Sequence, residues 1–443
     1  MKTGFFLKNT AQVKLTLFVL VSFWSSAALA GEVDSVSNHT VWVKSIVVQG
    51  NDKTKDYVIL REMSTKVGNR LSQQSLDQDQ NRIYSLRLFN KVAVSSDTVG
   101  DSATVFVNVS ERWYWFPYPI VGFRYRDIKK VYYGAGFTHQ NFRGRNEKLY
   151  TSFALGYDRW VYLRYENPRI TDNDDIFLGV DGSYGRFPNL SVQTGGYTQS
   201  YYDANVSLGK RFGLYQTVLG TVGYNIQEVS DPSVGRTLSE SGRDAYAYIT
   251  LNYTFDSRNI AEYTTSGTYF GVGYNKSGFG ESQVNLTTYA YDVREFIPVN
   301  DDWSVALRTF GNFTGGGLIP AYRHVFYGYG ERLRGYFHDI LEGENILGGN
   351  LEFRIAILKP RYLTLRFIPV PEFSVLRYGL YAGIFADGGK VWYRSQPFPG
   401  KDWRSGYGAG LHFLLPYSVV VRTEYAFNNF GKGQFFFDFG ASF

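Results

Sequence analysis

The residue types that most often carry catalysis or hold a metal do not cluster in this chain. The five histidines, His39, His139, His324, His338 and His412, fall at no metal-ligand spacing. There is no cysteine to act as nucleophile, thiolate ligand or disulfide partner. The nearest approach to a nucleophile elbow is Asp181-Gly182-Ser183-Tyr184-Gly185. It lacks the first glycine of G-x-S-x-G and lies inside a strand-like stretch instead of at a strand-to-helix turn. No enzymatic activity, cofactor or metal is therefore expected. What remains is ionic: Arg334, Glu352 and Asp387, with Arg422, Glu424 and Asp438 further on. On spacing alone these are ordinary solvated charges.

The elements that carry those charges are strands. Phe435, Phe437, Phe439, Ala441 and Phe443 form one face of the last segment, against Gln434, Asp438, Gly440 and Ser442, with Phe436 the exception. Tyr417, Val419, Val421, Tyr425 and Phe427 oppose Ser418, Arg422 and Glu424. Tyr407, Ala409, Leu411 and Phe413 oppose Gly406, Gly408, Gly410 and His412. The same period of two runs through Leu149–Tyr157 and Val161–Tyr165. It also turns Glu352, between Leu351 and Phe353, to the polar face. Asp387 falls on that face too, together with Phe385, so the alternation is imperfect there.

Most segments approach the ~9–11 residues that a tilted strand needs to cross a membrane. A soluble sandwich also has two faces of opposite polarity. The richness in Tyr and Phe, 36 and 35 residues, favours a membrane barrel with aromatic girdles. A polar lumen face then explains the mean hydropathy of −0.24. Single-chain bacterial barrels have even strand numbers, and the count here is about sixteen, antiparallel. That count treats Tyr362–Ile368, which precedes Pro369 and Pro371, as a connection. Gln227–Arg243 and Gly315–Asn345 are expected to be long extracellular loops.

The N-terminus reads differently. Lys2, Lys8 and Lys14, an apolar stretch from Leu15, and the small-x-small site Ala28-Leu29-Ala30 predict a signal peptide over residues 1–30. Removing its three lysines from the formal +6 leaves +3, which gives no reason to expect a nucleic-acid partner. After a short segment, 31–42, residues 43–111 predict a strand (Val43–Val48), a Gly50-Asn51 turn and a helix over Tyr57–Met63. A second helix follows, carrying Leu76, Ile83 and Leu86 and capped by Ser75, then strands Val92–Ser96 and Thr104–Val109. This β-α-α-β-β unit resembles a polypeptide-transport-associated (POTRA) domain, including "LFNKVAV" at Leu88–Val94 and Glu111 after the last strand. Such a unit leaves a strand edge open to an extended chain. A rigid spacer is the bland alternative.

A POTRA unit followed by a barrel over residues 112–443 resembles the BamA/TamA superfamily of outer-membrane assembly and secretion proteins. The likeness is carried by "GYGERLRGYF", where Leu333-Arg334-Gly335-Tyr336 matches a V-R-G-F/Y motif. "GGNLEFR" (Gly348–Arg354) and "FADGGKVW" (Phe385–Trp392) match its companion strands, and "NFRGRNEKLY" and "FDSRN" are weaker signatures. The resemblance implies a lumen loop locked by Arg334 on Asp387 and Glu352. It places the barrel in the outer membrane, among its lipids, with the domain in the periplasm meeting extended client polypeptide. The terminal strand with Phe435, Phe437, Phe439 and Phe443 resembles the signal read by outer-membrane assembly machinery.

Among functions, a patatin-type lipase would need a further catalytic domain. A two-partner transporter would carry a plug helix and two POTRA domains, and a general porin would need neither domain nor lock. The expectation is an assembly or translocation barrel with a weak seam between its first strand, near Phe116–Tyr125, and its last. The barrel would also thin the bilayer nearby. Dedicated export of a protein, lipid or surface polymer, or a passive channel, are the alternatives.

Overall fold

Period-two and period-3.6 patterning separate the chain into two structures. The computed structural model describes residues 40–443 except 125–127, 172–174, 280–282, 329, 338, 397, 399–401 and 442. The expected signal peptide with Ala28 and Ala30, as well as His39, Tyr125 and His338, lie outside the described residues.

The N-terminal domain runs β1 (Trp42–Gln49), α1 (Asp56–Leu60), α2 (Gln73–Ser85), β2 (Phe89–Val99) and β3 (Ser102–Glu111). Its sheet order is β1-β3-β2, with β1 parallel and β2 antiparallel to β3. Val58, Ile59, Leu76 and Ile83 from the helices bury against Val105, Val107 and Val109 of the central strand. The cap of α2 is Ser72, whose Oγ accepts from Ser75 N at 3.4 Å, so the expectation at Ser75 was three residues late. A serine inside the first turn has no free amide ahead of it to bind. Gly50 has φ +82°, and a β-carbon there would collide with the Val109 carbonyl.

The barrel begins with β4 (Trp115–Phe123), β5 (Val131–Phe142), β6 (Glu147–Gly156), β7 (Arg159–Asn167), β8 (Ile176–Pro188) and β9 (Thr198–Phe212). It continues through β10 (Gln216–Val229), β11 (Arg243–Asp256), β12 (Gly267–Ser277), β13 (Leu286–Pro298) and β14 (Trp303–Gly316). A loop carrying the short pair β15 (Val325–Tyr327) and β16 (Leu341–Gly343) follows. The last strands are β17 (Asn345–Thr364), β18 (Val375–Trp392), β19 (Arg404–Leu415), β20 (Val419–Asn428) and β21 (Gly433–Phe439). Apart from the short pair, the strands form one 16-stranded antiparallel meander from β4 to β21.

Tyr362–Thr364 is not a connection. It prolongs β17, and only Leu365–Ile368 of that stretch lies outside the strand. The register shifts between Ala356 and Arg361 form a bulge that accommodates Pro360, which has no amide to give the ladder. The count of sixteen is unchanged. The long connections are 230–242 and 317–344, because their flanking strands run further than the alternation suggested.

Outward side chains are apolar and bare: Leu163 is 60% and Phe439 67% exposed, with Phe153, Val161 and Val222 alike. So many exposed apolar residues mark a lipid-facing belt. Charged residues such as Arg354, Glu352 and Glu424 are buried on the inner side. No described helix is long and apolar enough to cross a membrane.

The domain rests on one rim of the barrel. Lys55 N donates to Gly144 O at 2.9 Å, and Arg211 makes a two-pronged pair with Glu62 at 2.7 Å. Ala261 N donates to Ser85 Oγ, and Ile260 packs into the domain's own core. The "NFRGRNEKLY" turn supplies Asn141, whose Nδ2 donates to Thr54 Oγ1 at 2.9 Å, while Glu111 receives the amides of Lys53 and Thr54.

Candidate functional site

Loop 317–344 leaves β14 at the rim away from the domain and turns back onto inward-facing side chains of β14, β17, β18, β20 and β21. Two features let it seat. Gly335 takes φ +94°, open to glycine without strain. A β-carbon at Gly406 would collide with the Arg334 carbonyl, so β19 must be bare there.

Arg334 lies at the centre. Its Nε and Nη2 bind Asp387 bidentately at 2.7 and 2.6 Å, and Nη1 reaches Glu352 at 2.6 Å and Glu424 at 3.2 Å. Its guanidinium sits 3.6 Å from the Phe385 ring centroid. All three carboxylates are fully buried at the side chain. A charge so removed from water persists only if paired and hydrogen-bonded, and the fork geometry of arginine supplies both.

The other expected loop residues sit beside it. Tyr336 buries its ring with Leu333, Tyr327, Phe310 and Ile346. Phe337 N donates to Gln434 Oε1 at 2.8 Å, and its ring stacks on Phe436 at 5.4 Å. Phe385 and Phe436, the two breaks in the alternation, are thus the aromatic platforms on which the loop rests.

Several participants were not legible as such. Alternation places Glu424 in the lumen but does not name it a partner of Arg334. Arg354, fully buried, donates from Nε to Glu352 at 2.7 Å and from Nη1 to the Thr264 carbonyl at 2.7 Å. His412 joins Glu424 through Nε2 at 3.2 Å and the Tyr263 hydroxyl through Nδ1 at 2.7 Å. Residues 257–266, the connection from β11 to β12 on the domain side, therefore enter the barrel and reach the same ionic cluster from below. Two signals pointed there: Arg354 has the parity of Glu352, and the glycines alternating with His412 leave room inside.

Glu352, His412 and Glu424 place ligand atoms within 4.8 Å of one another. Their chemistry does not suit a metal ion. Glu352 already receives Arg334 and Arg354, and Glu424 receives Arg334 and Arg422. A dication would have to displace guanidinium groups.

Phe435, Phe437 and Phe439 project outward, exposed. Phe443 does not share their face. Gly440, at φ +93°, turns the chain end inward, where the Phe443 ring packs on Phe296 at 6.2 Å and near Arg354. Counting alternate residues across that glycine carried the pattern past the end of the strand.

The seam is the second feature. No pairing joins β4 to β21 among the described residues. The bonds Gln140 N to Tyr114 O and Arg124 N to Lys130 O show that even-numbered residues of β4 bond β5. Odd residues then face the free edge: Trp115, Pro117, Pro119, Val121 and Phe123. Pro117 and Pro119 offer no donor there. On β21, Asn428 N to Lys432 O and Gly440 N to Val420 O likewise leave Gly433, Phe435, Phe437 and Phe439 facing the other edge.

A sixteen-stranded membrane barrel with a small α+β domain on one rim and an arginine-locked loop in its lumen defines a class of outer-membrane protein. Residues 141–443 match the Omp85 superfamily domain, and residues 41–112 match the POTRA family, described as a surface antigen variable number repeat. The chain belongs to the Omp85 superfamily, with a single POTRA domain over the matched residues. It is 23% identical over 363 residues to the outer membrane protein assembly factor BamA of Nitratidesulfovibrio vulgaris, covering 76% of this chain and 44% of that protein. It thus spans less than half the length of that relative. Among solved structures, BamA from Haemophilus ducreyi lacking POTRA domains 1–3 superposes with a TM-score of 0.54 at 20% identity, over 90% of this chain and 84% of that one. CdiB from Escherichia coli gives 0.56 at 10% identity, over 90% and 75%. CdiB from Acinetobacter baumannii gives 0.51 at 15%, over 90% and 73%. At these identities the likeness is one of fold.

Proposed function

We propose that this protein receives extended polypeptide clients at its POTRA domain in the periplasm and inserts or exports them across the outer membrane at the β4–β21 seam. It acts without catalysis. The observation that carries this reading is the pair of unpaired edges, one of which has lost two donors to Pro117 and Pro119. Open strand edges are a liability that proteins ordinarily cover. A barrel that keeps them can lend its backbone to an incoming strand by β-augmentation. A lumen occupied from one rim by loop 317–344 and from the other by 257–266 speaks against free diffusion.

Restoring donors tests the idea. The double substitution Pro117→Thr with Pro119→Thr should let the seam zip, raise the temperature at which the barrel unfolds on gels, and depress client insertion in proteoliposomes. A closed, stabilised seam with undiminished insertion would refute the mechanism. Dedicated export differs in its readout: the client would appear outside the vesicle membrane rather than in it.

A further inference from the structure

β17 loses its β14 partner after Ile355, and β18 gains β19 only from Gly379 onward. Between those points lies a two-stranded hairpin paired within itself, from Arg361↔Tyr378 to Thr364↔Val375. At ~3.3 Å per residue its four self-paired steps span about 13 Å on the POTRA side.

Its flank is held. The Lys91 ammonium lies 5.9 Å from the Tyr362 ring centroid, Asn90 donates to the Glu372 carbonyl, and Lys53 pairs with the Glu372 carboxylate at 3.3 Å. Tyr417 Oη also donates to the Glu372 carbonyl at 3.0 Å. Phe373 brings its ring to 5.9 Å from Tyr417 and 6.2 Å from Trp113. The hairpin therefore passes sideways beneath β19 and β20 to the root of β4, at the foot of the seam.

What it leaves bare is apolar and basic. Phe367 is 80% exposed, and Leu363, Val370 and Phe373 are exposed beside it. Through Trp113 this surface continues to Trp115, 56% exposed, where the outer face of β4 begins. Arg361 and Arg366 are exposed, and Glu372, the single acidic residue of 356–378, is engaged by Lys53. Aromatic and aliphatic side chains with flanking arginines, continuous with a lipid-facing belt, match the interface of an anionic phospholipid leaflet.

We propose that the 356–378 hairpin is a membrane anchor whose tip enters the leaflet on the POTRA side at the foot of the seam, with Arg361 and Arg366 on the phosphates of anionic phospholipid. The proposal goes beyond the client-handling reading and does not depend on it.

The absence of cysteine makes the test direct. Phe367→Cys in the full chain, labelled with a polarity-sensitive fluorophore, is reconstituted into phosphatidylethanolamine–phosphatidylglycerol vesicles. Val99→Cys, 79% exposed at the far tip of the POTRA sheet, serves as the aqueous control. Heat-modifiable migration verifies that both barrels are folded. The label at 367 should emit to the blue, be quenched by doxyl-chain lipid and be shielded from iodide, the reverse of the label at 99. Arg361→Glu with Arg366→Glu, or omission of phosphatidylglycerol, should weaken the lipid quenching. Iodide access at 367 equal to that at 99 would overturn the anchor. So would shielding without lipid quenching, which would mean that protein covers the tip. Quenching indifferent to both charge reversal and phosphatidylglycerol would overturn the headgroup assignment.

Discussion

Arg334 gathers three buried carboxylates from three different strands, and its neighbours depend on it. Truncating one member of a buried ion pair leaves the rest uncompensated, at about 3–5 kcal/mol. Arg334→Ala and Asp387→Ala should each raise protease access to loop 317–344 while leaving the barrel assembled and heat-modifiable. Because Arg334→Ala already breaks the pair that Asp387→Ala removes, the double variant should be no worse than the poorer single. Strictly additive effects would show that the pair does not act as a unit. At the rim, burial alone would raise the Glu62 carboxyl, but Arg211 and Arg61 more than offset it and hold it below the usual glutamate range. A depressed folded-state value means stability that is full above the unfolded value of glutamate and lost as pH falls through the folded one. POTRA docking should therefore loosen only in acid, below pH ~4.3, and Glu62→Gln should be loose already at neutral pH. Proteolysis of the domain as a function of pH measures this, and identical profiles would exclude the contact.

A connection, as well as strands, joins the two halves. Segment 257–266 places Ile260 in the POTRA core and Tyr263 on His412, and it receives Arg354 at Thr264. Its Asn259 Oδ1 accepts the amides of Thr265 and Ser266, which closes the turn and aims it inward. A continuous series of contacts thus links domain to loop lock. Tyr263→Phe removes the hydroxyl facing His412 Nδ1, and a buried polar atom left without a partner costs about 1–3 kcal/mol. Hydrogen exchange should rise in loop 317–344 as well as in 257–266. A change confined to 257–266 would mean that the series carries no coupling.

For the whole molecule, the domain is part of the barrel's rim rather than an appendage. Deleting residues 43–111 should leave a folded, heat-modifiable barrel that no longer supports its biological role. The intact protein should conduct weakly in bilayers because both rims send chain into the lumen. Large steady conductance together with full complementation by the deletion would instead indicate a passive channel.

Alternation of side chains is a local property, so the strands and their two faces were readable from residue order, while the count of about sixteen also rested on the even strand number of bacterial barrels. The element order of the POTRA unit was readable too, with Leu76 and Ile83 at helical spacing in α2, although the first helix spans Asp56–Leu60 and not Tyr57–Met63. Parity also put Glu352 and Asp387 inside, but parity names a side and not a neighbour. That Glu424 meets Arg334 there, with Arg354 on Glu352 and His412 on Glu424, depends on strand tilt and register, which bring residues far apart in sequence to one height in the lumen. Tyr263 arrives by a connection that no periodicity describes. Gly440 reversed Phe443 because a single backbone angle outweighs the pattern on either side of it. A weak seam was expected from the resemblance, but that β4 and β21 stay unpaired among the described residues was decided in three dimensions: pairing of the ends depends on donors and acceptors that must meet in space, and Pro117 and Pro119 remove two of them.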